Sequence, residues 1–172
     1  MVNRTWYILF ALLLVACTSS APQRPSQRKG RSPEPDSAEL ALMELNYRLA
    51  QAADEQLAQL VKEQDERYAL YDGSAWMHIF SLGDEQTSSP LPNEEWLIHM
   101  RVMNLEGRLL EDSEQTYRIQ RHELPYAVDR NIDILHHGAH ARIYAPWYSA
   151  FGIQGTANIP PYENVIIEIE LR

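Results

Sequence analysis

The sequence lacks the residues and motifs that several common kinds of functional site require. Its single cysteine, Cys17, excludes a disulfide within the chain and a zinc site made of several cysteines. It contains no G-x-S-x-G, P-loop, G-x-G-x-x-G or H-E-x-x-H motif. With 172 residues it is also too short for a TIM barrel or a two-domain dinucleotide enzyme. Hydrolase, kinase and dehydrogenase functions are therefore disfavoured.

Positive charge is scarce and unevenly placed. The chain has 15 Lys and Arg against 24 Asp and Glu, a formal net charge of -9. This balance argues against a nucleic-acid partner, because the phosphates would be repelled. Residues 1–36 carry a net charge of +3, whereas residues 37–172 carry -12. A mildly basic N-terminal segment thus precedes an acidic folded part.

The N-terminus has the layout of a secretory signal. Arg4 precedes eleven uncharged residues, Trp6 to Ala16, which are too few to span a bilayer core of about 30 Å as a helix. The sequence Leu14-Val15-Ala16-Cys17 resembles the lipobox of bacterial lipoproteins. This resemblance implies that residues 1–16 are removed and that acyl chains on Cys17 hold the protein to a membrane. An ordinary signal peptide with a chance cysteine is the alternative.

Residues 17–36 are predicted to be a linker. They hold four of the ten prolines and almost no large apolar side chain, so they cannot bury enough surface to offset the entropy of ordering. We therefore expect a flexible, disordered tether. Its basic run, Arg28-Lys29-Gly30-Arg31, is more simply a solvated stretch than a contact for anionic headgroups.

Hydrophobic periodicity predicts an α+β domain after this tether. A long amphipathic helix over 38–68 carries Leu42, Leu49, Leu57 and Leu60 on one stripe. That stripe is expected to pack on the core or, alternatively, to bind a partner or a second copy. Short apolar runs predict the strands of an antiparallel sheet. The elements after the helix are strands over 75–82, 96–103, 108–112 and 116–120, a helical segment over 124–135, and strands over 139–145 and 165–171.

Histidines supply the one cluster typical of metal ligands. His136 and His140 lie four residues apart, with His137 between them, and a helix would place the outer two on one face. Gly138, however, favours a helix end at this point. Without an added carboxylate a metal site is incomplete, so surface histidines are the simpler interpretation.

The C-terminal third carries the most specific pattern. Gly138 begins a strand that ends at Pro146; Ala150-Phe151-Gly152, Ile159-Pro160-Pro161 and an alternating strand follow in that order. This order resembles the signature of the FK506-binding-protein (FKBP) prolyl isomerases, with Phe151 in place of a tyrosine. A hairpin over 97–113 and the pair Leu124-Pro125 are similar to the family's first hairpin and helix start. The resemblance covers residues 93–172 and implies an FKBP-like antiparallel sheet wrapped around one short helix.

The order of signal, tether, helix and strand also resembles the FKBP-type lipoproteins of Bacteroidota, including the gliding-motility-associated isomerases. This likeness implies four parts: a signal peptide over 1–16, a lipidated N-terminus and linker over 17–36, a helix-and-strand extension over 37–92, and an FKBP-like domain over 93–172. No acidic run follows Cys17. The resemblance therefore implies an outer-membrane lipoprotein that faces the periplasm, with the leaflet left open.

The FKBP resemblance implies a site that needs no nucleophile, metal or cofactor. Rotation about a peptide bond has a barrier of about 18–20 kcal/mol, which an apolar, water-poor site lowers by binding the twisted amide more tightly. Most of the corresponding side chains here are smaller than the family's aromatics, and Pro125 lacks a backbone N–H for a ligand carbonyl. Trp147 or Tyr148 would either refill the lost volume or cover the loop. The eight pocket positions implied are Met100, Leu110, Glu111, Leu124, Pro125, Val128, Phe151 and Ile167.

Two functions follow from the resemblance. The first is a lipid-anchored periplasmic peptidyl-prolyl isomerase that assists the folding of secreted or outer-membrane proteins, with prolyl-containing polypeptides as clients. The second is a catalytically degenerate FKBP domain that serves as an interaction subunit of an envelope or secretion complex. The eroded pocket predicts weak isomerase activity or none.

Overall fold

The computed structural model of the protein describes residues 36–172. Within this range, Ser37 to Arg172 form one compact unit. Residues 1–35 lie outside the described range. They include the predicted signal, Cys17 and nearly all of the predicted tether, which therefore stay predictions. No helix in the described range is long and apolar enough to cross a membrane.

A six-stranded antiparallel sheet forms the centre of this unit, in the order β1-β2-β5-β6-β3-β4. The predicted α+β class and antiparallel pairing are confirmed. The strands are β1 (Ala69–Tyr71), β2 (Ala75–Ser81), β3 (Glu95–Asn104), β4 (Leu109–Arg118), β5 (His140–Ala145) and β6 (Val165–Leu171). The α-helices are α1 (Ser37–Lys62) and α2 (Tyr126–Asp129), and single 3-10 turns occupy Asp72–Ser74, Ile132–Ile134 and Trp147–Ser149.

The two faces of the sheet differ because side chains alternate along each strand. On β6, the residues Val165, Ile167, Ile169 and Leu171 are buried on one face, which we call the inner face. The short helix α2 and the segment around it pack on this inner face. The residues that join the strands in this core are Leu124, Ala127, Val128, Ile132, Leu135 and Ile159.

The opposite, outer face is shared between a helix and a set of charges. The C-terminal half of α1 packs on it, with Leu57 fully buried against Tyr144 and Ile166. The stripe predicted for this helix is therefore packed only in part, since Leu42 is 60% exposed and Leu49 is 37% exposed. The remainder of the outer face carries paired Arg, Glu and His side chains.

The first predicted helix ends earlier than its periodicity indicates. It stops at Lys62, and the short-range bonds Glu63 N to Leu60 O and Gln64 N to Val61 O tighten its last turn. The chain then forms β1, a three-residue strand that the sequence pattern did not predict; among the described strands its partner is β2. Just before β1, Tyr68 packs edge-on against Tyr144, with ring centroids 5.0 Å apart.

Two further elements differ from their predictions. The strands expected over 108–112 and 116–120 are the single strand β4, because pairing with β3 continues from Glu111 to Arg118. The helical segment expected over 124–135 is one turn of α-helix followed by a 3-10 turn. Between them, the Asn131 side chain donates to the carbonyls of Ala127 (2.7 Å) and Asp72 (3.1 Å). Such side-chain bonding to the backbone competes with continued helix.

Candidate active site

The floor of the candidate site is the inner face of strands β3 and β6. Val102 pairs with Ile167 and Met100 with Ile169 in the antiparallel register, which brings the predicted residues Met100 and Ile167 to the same face. Ile167 is fully buried and Met100 is 4% exposed. Both belong to the core of apolar side chains that α2 completes.

A bulge in β4 supplies two more predicted residues. Val102 pairs with Glu111 and Met103 with Leu109, so Leu110 is an extra residue in its strand. A bulge of this kind bends the strand and redirects a side chain, and it is frequent beside functional sites. Leu110 packs against the inner-face core, and Glu111 lies half-buried opposite the inward-facing Val102.

Helix α2 and the residues before it provide a third part of the site. Val128 is fully buried and Leu124 is 6% exposed, and both belong to the inner-face core. Pro125 stands at the N-terminal cap, with φ of -52°, and its carbonyl accepts the N–H groups of Val128 and Asp129, both at 2.9 Å. Because proline has no N–H, this helix start offers no donor at that position. Asp129 is buried as well and accepts the backbone N–H of Gln120 at 2.7 Å.

The loop after β5 places Phe151 against the same core. Its tight path depends on Gly155, whose φ is +62° and where an added Cβ would collide with the backbone of Ile159 and Pro160. The Phe151 carbonyl accepts the Gly155 N–H at 3.2 Å, and Ile159 is fully buried beneath the loop. The Ile-Pro-Pro segment therefore anchors the loop to the core through its isoleucine.

The eight predicted positions come from β3, β4, α2 and its start, the loop after β5, and β6. Six of them, Met100, Leu110, Leu124, Val128, Phe151 and Ile167, belong to the inner-face core or pack against it. The sequence reasoning missed two other members, Tyr117 and Ile119, which are buried in the same core from the far end of β4 and just beyond. Tyr117 and Ile119 are two residues apart, as side chains on one face of a strand are. The sequence analysis placed them on a separate strand over 116–120, and for that reason they were not assigned to the site.

The two aromatic residues considered as fillers of the pocket lie elsewhere. Trp147 packs with Tyr148 and Tyr162, at ring-centroid distances of 5.5 Å and 4.8 Å. The Tyr148 hydroxyl donates to Asp54 of α1 at 2.5 Å. Burial, and to a lesser extent this hydrogen bond, raises the pKa of Tyr148 to about 12. These aromatics therefore tie the loop to α1.

The histidines do not form a metal site. His140 belongs to β5 and stacks on Phe80 with ring centroids 4.7 Å apart, whereas His136 Nδ1 lies 3.0 Å from the Thr87 carbonyl oxygen. Gly138 lies between them with φ of +81°, so no helix joins the two. Among residues 36–172 no group of three His, Cys, Asp or Glu side chains is placed to hold a metal ion.

Comparisons with known proteins bear on the fold. No protein-family model and no curated protein matches the sequence. Among solved structures, the chain is similar to a peptidyl-prolyl cis-trans isomerase from Pseudomonas syringae pv. tomato, at 19% identity and a TM-score of 0.60, over 73% of this chain and 92% of that one. It is also similar to FkpA from Escherichia coli, at 14% identity and a TM-score of 0.60, over 78% of this chain and 63% of FkpA. AtFKBP13 matches at 16% identity and a TM-score of 0.54, over 61% of this chain and 96% of that one.

Proposed function

We propose that this protein is a peptidyl-prolyl cis-trans isomerase of low catalytic efficiency, acting on proline-containing polypeptide segments held at the inner face. Its FKBP-like fold is shared with peptidyl-prolyl isomerases of known structure. The observation that carries the proposal is the convergence of apolar residues from separate segments, Met100, Leu110 and Phe151 among them, at one place in that fold.

The chemistry fits a reaction without bond cleavage. A twisted prolyl amide has less charge separation than a planar one, so an apolar, water-poor surface binds it relatively better. Glu111 is the one residue with an ionisable side chain among the eight positions, and no nucleophile is required. The low efficiency follows from two losses: Pro125 has no N–H, and Phe151 has no hydroxyl to donate to the substrate.

The proposal includes where in the cell the protein acts. Because Leu14-Val15-Ala16-Cys17 has the form of a lipobox, we infer a protein tethered through Cys17 to the outer membrane and facing the periplasm. The order of its parts favours a role like that of the FKBP-type lipoproteins of Bacteroidota. Clients would then be secreted or outer-membrane polypeptides. Labelling with a radioactive or tagged fatty acid tests this location. We expect the label on the native chain and no label on Cys17→Ala.

A protease-free isomerisation assay of the full-length chain on a series of Xaa-Pro peptides tests the activity. We expect acceleration above background, reduced about tenfold by Phe151→Ala because an apolar contact to the proline is removed. Phe80→Ala is the matched control, since Phe80 lies on the outer face. No acceleration of any peptide, or equal rates for the two variants, would contradict the proposal.

A second function, that of a catalytically degenerate interaction domain, is favoured by one observation. Val128 and Ile167 at the floor of the site have no exposed surface, and Pro125, at the start of α2, has no N–H to offer a ligand. Such a domain would serve as a subunit of an envelope or secretion complex. The variant Pro125→Ile separates the two functions. Raised activity would indicate a working site that is short of one donor, whereas peptide binding without turnover in both forms would favour the interaction domain.

A further inference from the structure

The carboxylates along strand β4 differ in their surroundings. Asp112 and Glu114 belong to the outer face, where Asp112 Oδ1 lies 2.7 Å from His99 Nε2 and Glu114 is paired with Arg172. Glu111 belongs to the inner face, opposite the buried Val102, since the bulge at Leu110 resets the register of the strand. One strand therefore presents acidic groups to both sides of the sheet.

Of the three carboxylates on β4, Glu111 is the one without a partner among the described residues. Its side chain is half-buried beside Leu110, yet its carboxylate makes no hydrogen bond or ion pair with any residue of the described range. A carboxylate without a partner can accept a charge-assisted hydrogen bond from an incoming cationic group. A cation brought to the rim of the site would supply the missing interaction.

The net negative charge of the folded part also favours a cationic client. Residues 37–172 carry a net charge of -12, so the protein attracts cationic segments of polypeptide before any specific contact forms. The other seven site positions are apolar, so Glu111 is the one charged group that this site offers to a client. Long-range attraction and the local contact therefore favour the same class of client.

We propose that Glu111 makes the site selective for a proline flanked by Lys or Arg. This inference rests on the proposed function and specifies its substrate class. The aliphatic site holds the prolyl ring, and the Glu111 carboxylate accepts a charge-assisted hydrogen bond from the neighbouring ammonium or guanidinium group. The client is thus an extended, basic, proline-containing segment.

The test uses the full-length chain and three peptides that differ only in the residue before proline: Lys, Gln or Glu. Isomerisation rates and dissociation constants from tryptophan fluorescence are measured at low and at high salt. We expect Lys-Pro to be favoured over Gln-Pro about fivefold, as for a partly exposed ion pair, and Glu-Pro to be disfavoured. The preference is expected to shrink as salt rises.

The variants Glu111→Gln and Glu114→Gln form a matched pair, because they remove the same charge from opposite faces of one strand. We expect the Lys-Pro preference to disappear in the first variant and to persist in the second. Equal handling of the three peptides, or a preference that survives Glu111→Gln, would overturn this inference while leaving the proposed function in place. Peptides that are neither bound nor isomerised would overturn both.

Discussion

The two faces of the central sheet are stabilised by different interactions. The inner face is a continuous apolar core in which Ile143, Ile167 and Ile169 are at most 1% exposed. On the outer face, Glu168 accepts hydrogen bonds from Arg142 at 2.8 Å and from Arg101 at 3.0 Å, and a helix covers what remains. Apolar burial stabilises in proportion to area, whereas partly exposed ion pairs contribute little. The inner face therefore supplies most of the stability and also carries the candidate site.

The largest expected effect comes from removing a side chain at the centre of the inner face. Ile169→Ala should lower the free energy of unfolding by about 3 kcal/mol, because it removes buried methylene groups and leaves a cavity. Ile153→Ala, at a residue that is 52% exposed in the loop after β5, is the control and should cost little. Urea unfolding measures both. A loss below about 1 kcal/mol for Ile169→Ala would place the stabilising core elsewhere.

The next effect separates the two halves of α1. Leu57→Ala should cost about 2 kcal/mol, since Leu57 is fully buried against Tyr144 and Ile166. Leu42→Ala makes the same change at a residue that is 60% exposed and should alter stability by less than about 0.5 kcal/mol. Equal losses in the two variants would mean that the N-terminal half of the helix is also packed in solution.

A smaller effect is expected from the charged part of the outer face. Glu168→Gln removes the acceptor shared by Arg101 and Arg142, whose side chains are 43% and 27% exposed. Because water reaches both guanidinium groups, the expected loss is about 1 kcal/mol, declining as salt is added. A salt-independent loss of the size expected for Ile169→Ala would show that the two faces do not differ in this way.

The last effect appears only at alkaline pH. Burial, and to a lesser extent the neighbouring Tyr68, raises the pKa of Tyr144 to about 12. An unfolded tyrosine titrates near 10. The neutral form is therefore favoured in the folded protein. Its stabilising contribution is complete below about pH 10 and is lost as the pH rises toward 12. Absorbance titration of native protein against Tyr144→Phe measures this shift, and a Tyr144 signal that titrates near 10 would contradict it.

Part of the fold could be predicted from the sequence because the signals were local. The alternation of β6 and the apolar run of β3 each reflect one buried face, and both strands lie where they were expected. The three-residue strand β1 is too short to show a period and depends on pairing with β2. The helical spacing of 124–135 was misleading, since Asn131 bonds to the carbonyls of Ala127 and Asp72 and the helix gives way to a 3-10 turn.

The candidate site could be predicted only through family resemblance, since its residues lie far apart in the chain. Leu110 and Glu111 are brought to the inner face by a bulge, and no sequence period indicates a bulge. That Glu111 has no partner among residues 36–172 likewise depends on the fold. Its neighbour Asp112 has the same kind of side chain and belongs to the outer face, beside His99.

The most direct test of the central claim is to locate a bound proline-containing peptide by methyl NMR of the full-length chain. The account predicts chemical-shift changes at Met100, Leu110 and Ile167, on the inner face. Shifts confined to the exposed leucines of α1, Leu42 and Leu45, or to residues of the outer face, would contradict it. In that case the inner-face core would serve stability alone, and the polypeptide-binding surface would have to be sought on the helix or among the charges.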